Sequence, residues 1–209
     1  MVRPVIVLVA ASISVRLAAA QVYDVTKPPF NAPVNTSQNC SPAINAAIAA
    51  AEALPNGGAV YFPPGTYRCN SQLSTSNLPR PLTLVGDGGS SELRKNFEGS
   101  SLMLVRGANT SHRQHVVIAD LAMSTGPLEQ AAGWMIQAET LDHASFRGLR
   151  IVAPIGGIEI DNCFDVRLQD IYMRNTLATR KIAAGRRCNG PPFPNRQARA
   201  APPRAIQSI

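Results

Sequence analysis

Shifted by 22 residues, the segment Ile136-Gln137-Ala138-Glu139 falls on Ile158-Glu159-Ile160-Asp161, and Phe146-Arg147-Gly148-Leu149-Arg150-Ile151 falls on Leu168-Gln169-Asp170-Ile171-Tyr172-Met173. The repeat is made of short apolar-polar-apolar runs and lacks the i, i+3, i+4 spacing of a helix. A period in the low twenties built from strands belongs to solenoids, whose coils cannot bury their apolar side chains alone and must stack. Val116 to Met123, Ala144 to Ile151 and Val166 to Met173 share one template: two inward apolar residues, a bend, then two more. Asp120, Gly148 and Asp170 occupy the bend. A tight corner needs a backbone that Asp or Gly tolerates, so these aspartates are expected to be structural.

The expected fold is all-β, a right-handed parallel β-helix of about five coils. An open solenoid end needs a cover. Ser41-Pro42 followed by Ile44, Ile48, Ala51 and Leu54 on one face predicts an N-capped, proline-started capping α-helix over 41–54, stopped by Pro55-Asn56-Gly57-Gly58. With that helix, the β-helix domain is expected over 21–177. From Thr179 the alternation fails, and Pro191-Pro192, Pro194, Pro202-Pro203 and scattered arginines predict a disordered C-terminal tail over 178–209. At the other end, Arg3, the apolar run from Val5 to Val15 and Ala18-Ala19-Ala20 read as a signal peptide over 1–20, cleaved near Ala20. A secreted or periplasmic protein is expected, with no membrane association after cleavage. The apolar run falls short of the about 20 residues a spanning helix needs.

The net charge of +7 suggests nucleic acid until it is placed along the chain. All 13 acidic residues lie between Asp24 and Asp170, and 11 of the 20 basic ones lie between Lys27 and Arg174, so the body is near neutral. The excess sits in the terminal segments, and the tail has no aromatic interleaving beyond Phe193. No nucleic acid partner is expected. Export permits disulfides among Cys40, Cys69, Cys163 and Cys188. Cys40 with Cys69 is the preferred pair because both sit at the first coil, and buried small apolar residues are the alternative.

Tyr23-Asp24-Val25, the alanine-rich helix, Gly57-Gly58-Ala59-Val60-Tyr61-Phe62-Pro63-Pro64-Gly65-Thr66-Tyr67 and Leu82-Thr83-Leu84-Val85-Gly86-Asp87-Gly88-Gly89 together resemble the N-terminal region of the pectate-lyase-like superfamily. The nearest branch is the rhamnogalacturonase and epimerase-like proteins, and the resemblance runs from about residue 23 to 175. It implies a right-handed parallel β-helix acting on an acidic polysaccharide of uronic-acid units, as a glycoside hydrolase or a polysaccharide lyase. Asn39-Cys40-Ser41 stands where the family often has an acidic pair. Members are generally much longer. Two other readings stay open: a non-enzymatic carbohydrate-binding solenoid, adhesin or tailspike-like, and an incomplete, inactive scaffold.

The strand before each template carries the candidate chemistry. With Ile136, Ala138, Ile158 and Ile160 inward, Gln137, Glu139, Glu159 and Asp161 point outward. Stacking sets Glu159 on Gln137 and Asp161 on Glu139, about 4.8 Å apart across the ladder and about 6.6 Å along a strand. Glycoside hydrolysis needs two carboxylates at about 5 to 9.5 Å, so Glu159, Asp161 and Glu139 are the candidate catalytic residues. Gln137, Arg167 and Trp134 are the candidate substrate contacts, the Trp as a stacking surface for a sugar ring. Hydrolysis calls for no cofactor. A lyase would need Ca²⁺, held by Glu159, Asp161 and Asp165 with Arg167 nearby as base. The competing reading is a solvated polar sheet face. His112 and His115 have no third ligand in register, and His143 beside Asp142 reads as a surface residue in a turn.

Overall fold

The structure, a computed structural model, describes residues 21–76, 78, 80–108, 115–126, 133–153 and 156–174, and the backbone of 182–184. The expected signal peptide, the expected tail apart from 182–184, His112 and Cys188 lie outside the described residues.

A short strand, β1 (Val22–Asp24), precedes helix α1 (Ser41–Glu52), and the chain then winds through successive coils. The first holds β2 (Gly58–Phe62), β3 (Gly65–Cys69) and β4 (Leu73–Ser74), and the second β5 (Leu82–Lys95) and β6 (Met103–Arg106). The third holds β7 (His115–Thr125) and β8 (Trp134–Glu139), and the fourth β9 (His143–Arg147), β10 (Arg150–Val152) and β11 (Gly156–Asp161). β12 (Val166–Gln169), β13 (Tyr172–Arg174) and β14 (Ile182–Ala184) make the fifth. The pairings between these strands are parallel. They build three faces. The first face runs through β2, the start of β5, the start of β7, β9 and β12. The second runs through β3, the ends of β5 and β7, β10 and β13. The third runs through β4, β6, β8, β11 and β14. This is the right-handed parallel β-helix that the sequence predicts.

Each face contributes one inward column. Val60, Leu84, Ile118 and Phe146 stack from the first, Tyr67, Leu93, Met123 and Ile151 from the second, and Leu73, Met103, Ile136 and Ile158 from the third. All are buried. Because like stacks on like, no coil has a closed core of its own, and each is completed by its neighbours. Asp120, Gly148 and Asp170 do form the corner between the first and second faces, at φ 54°, 60° and 52°. At Gly148 a Cβ would lie 2.3 Å from Asp120 Oδ1 in the coil below, so a larger residue at that corner would have to displace the Asp120 carboxylate.

Helix α1 buries Ile44, Ala47, Ile48 and Ala51 over the first coil, in contact with β1, β2 and β4. Its start differs from the expectation. Cys40 is the N-cap residue and makes no side-chain capping bond. The Ser41 hydroxyl is turned instead to the first coil, donating to Ser71 O at 2.9 Å, while Asn39 Oδ1 accepts from the N–H groups of Ser41 and Asn70. The helix ends at Glu52, whose buried carboxylate accepts from Ser76 N–H and, at 2.6 Å, from the Ser76 hydroxyl. The preferred Cys40 with Cys69 disulfide is also corrected, since both are buried thiols without a disulfide. Cys40 Sγ donates to Pro33 O at 2.8 Å. Burial, and then the neighbouring Cys40, push the Cys69 thiol up to about 12, so both side chains act as small packing groups.

Candidate functional site

The outward positions of the third face carry the acidic cluster in the register that the repeat predicts. Gln137 stands beside Glu159 and Glu139 beside Asp161, with Arg106 completing the second column on β6. Glu139 is tightly held. Its Oε2 accepts from Arg106 Nε and Nη2, each at 2.7 Å, and its Oε1 accepts from Gln137 Nε2 at 3.0 Å. Gln137 is anchored in turn by the buried Ser101, whose hydroxyl donates to Oε1 at 2.9 Å. Glu159 differs. It is half-buried, and among the described residues it has neither hydrogen bond nor ion pair. Partial burial, then the charges of Asp161 and Glu139, push its carboxyl above the ordinary glutamate value. Asp161 is exposed beside it.

The three carboxylates thus stand in three different surroundings. A carboxyl that resists ionisation is suited to donate a proton, and Glu159 is the raised one, with the exposed Asp161 two residues along the same strand. Glu139 is held in place beside them by a two-nitrogen contact from Arg106. Trp134 stands on the same sheet and rests its ring on Gly156 of the next coil, where a Cβ would lie 2.2 Å from Cε3. The glycine makes room for the ring, which remains partly exposed.

Arg167 and Asp165 are not brought to this cluster. Arg167 lies on the first face beside Ser145, and Asp165 is engaged there by His143 Nδ1 at 3.0 Å and Arg167 Nε at 3.7 Å. The Ca²⁺ set of Glu159, Asp161 and Asp165 expected for a lyase is therefore not assembled. Among the described residues no group of three His, Cys, Asp or Glu side chains could hold a metal ion. No helix among them is long and apolar enough to cross a membrane.

A cleft of about 450 Å³, unanticipated from the sequence, lies on the first face and crosses β7, β9 and β12. His115 and His143 form one wall, with ring centroids 6.3 Å apart, and Ser145, Arg147, Asp165 and Arg167 line the rest. The signal was present in the sequence. The same 22-residue shift that sets Asp161 on Glu139 sets Asp165 on His143.

Fold and site define a parallel β-helix with paired carboxylates on an exposed sheet face. The chain belongs to the family described as rhamnogalacturonase A/epimerase, pectate lyase-like, whose model matches residues 29–178. Among solved structures it is similar to ORF18 of Geobacillus virus E2, at 20% identity and a TM-score of 0.50, over 69% of this chain and 31% of that one. The chain thus spans about a third of that protein's length. A second similar structure is titled 1,3-alpha-1,4-beta-D-galactose-4-sulfate-3,6-anhydro-D-galactose-2-sulfate 4 galactohydrolase, at 14% identity and a TM-score of 0.32, over 76% and 44%. No curated protein matches the sequence.

Proposed function

We propose that this chain acts on an acidic, uronic-acid-containing polysaccharide and cleaves it by glycoside hydrolysis on the third face. The observation that carries the reading is the pairing of Glu159, whose carboxyl is raised by burial and by Asp161 and Glu139, with the exposed carboxylate of Asp161. Glu159 is the general acid that protonates the leaving oxygen, and Asp161 is the base or nucleophile on the opposite side of the bond. Gln137 and Trp134 contact the sugar, and Arg106 with Glu139 positions the pair. Family membership supports the substrate class. Hydrolysis is preferred over β-elimination because Arg106, the cation at the cluster, is engaged by Glu139 through two nitrogens. The test is incubation with polygalacturonate and with rhamnogalacturonan, each with and without Ca²⁺. New reducing ends without unsaturated-product absorbance are expected, independent of Ca²⁺. No product from either polymer, with binding intact, rejects the enzymatic reading in favour of a binding solenoid.

Export belongs to the same proposal, because such polymers are met outside the cell. N-terminal sequencing of the protein from culture supernatant or periplasm should begin near Gln21. Recovery of the uncleaved chain in the cytoplasm alone would remove it.

A further inference from the structure

We propose that the first-face cleft is a second saccharide site, which holds the carboxylate of a uronic-acid unit on Arg147 and Arg167. The two arginines flank Ser145, Arg167 one strand away and Arg147 two residues along the same strand. Arg147 has no ion pair among the described residues, so its guanidinium is open to a ligand. Arg167 is bound to Asp165 only through Nε at 3.7 Å, which leaves its terminal nitrogens available. A planar guanidinium fork matches a carboxylate through two parallel hydrogen bonds. His143 is held by Asp165 at Nδ1, which fixes the ring with Nε2 as its remaining polar atom. His115 and Ser145 add further polar groups, and Val117 gives an apolar patch suited to the C–H face of a sugar.

The size of the cleft separates a sugar acid from a small free anion. About 450 Å³ lies within the roughly 300–1,000 Å³ typical of small-molecule clefts, far more room than one sulfate or phosphate fills. The site shares a polymer class with the proposed hydrolase site and sits on a different sheet, so one chain of uronate units laid around the solenoid could reach both. It does not depend on catalysis.

The test uses the full chain carrying Glu159→Gln, so that the probe is not consumed. The ring resonances of His115 and His143, assigned with His115→Gln and His143→Gln, are followed during titration with short oligogalacturonate, neutral galactan oligomers and inorganic sulfate. Both resonances should move with oligogalacturonate and stay put with the neutral oligomer. Arg147→Ala should weaken the interaction about ten-fold or more at unchanged melting temperature, with Arg147→Lys in between. Resonances unmoved by oligogalacturonate, equal movement with sulfate or the neutral oligomer, or unchanged affinity in Arg147→Ala would each overturn the assignment. Loss of turnover in Glu159→Gln reports on the other face alone, so the two readings fail separately.

Discussion

Glu159→Gln should lower polyuronate cleavage by about 100- to 10,000-fold, the range a positioned general acid contributes, and Asp161→Asn should do at least as much damage. Glutamine keeps the volume and partial burial of Glu159 and removes only the proton it would donate. The pH profile separates a catalytic from a structural role. Glu159 works protonated, so activity falls as pH rises through its carboxyl pKa. That pKa is raised by burial, by Asp161 and by Glu139, so the alkaline limb lies above the position an ordinary glutamate would give. Glu139→Gln removes one of the two repelling charges while leaving Glu159 and Asp161 in place. Its residual activity should show the alkaline limb displaced to lower pH, together with a smaller loss of rate. Full activity in both Glu159→Gln and Asp161→Asn, read from reducing ends over time, would remove the third face as the site.

The fold was legible because stacking is a local rule repeated. A residue and its counterpart one coil later occupy equal positions, so periodicity reports architecture directly, and Asp120, Gly148 and Asp170 reveal the corner by their tolerance of positive φ. The overlay stayed confined to the last coils for a physical reason. Ser145 to Arg167 spans 22 residues, whereas Thr83 to Val117 and Val117 to Ser145 are longer, the first of them partly through the Gly86 to Ser90 excursion at its corner. Corners can grow without disturbing the ladders, so the period blurs while the faces persist.

The face of each side chain was less legible than its coil. Alternation gives the direction of Glu159 and Asp161 because they sit within a strand. Asp165 and Arg167 follow the turn after that strand and project from another sheet, which alternation along β11 cannot reveal. His143 was read with its sequence neighbour Asp142, although the partner that fixes it is Asp165 in the next coil. The Ser41 hydroxyl likewise had two uses, helix cap or bond to a neighbouring coil, and the position of Ser71 decided between them.

Phe146→Ala should destabilise the protein by about 3 to 5 kcal/mol, the cost of emptying a buried aromatic site, and the damage should be uneven. Phe146 is fully buried in the first-face column, with Ile118 before it and Leu168 after it. Leu168 is 37% exposed and cannot collapse into the space without leaving its own strand. In a stack stabilised by nearest neighbours, a cavity in the fourth coil weakens that coil and the next while the first two keep their contacts. Hydrogen exchange should therefore accelerate in β9 to β13 well beyond any change in β2 and β3, and Leu168→Ala, at a half-open position, should cost far less. A loss below about 1 kcal/mol in urea unfolding, or equal acceleration in every coil, would contradict a nearest-neighbour solenoid. The same variant links stability to chemistry, because β11 belongs to the fourth coil and carries Glu159 and Asp161. Loosening that coil exposes Glu159 to water, removes the burial that raises its carboxyl, and should lower activity before the protein as a whole unfolds.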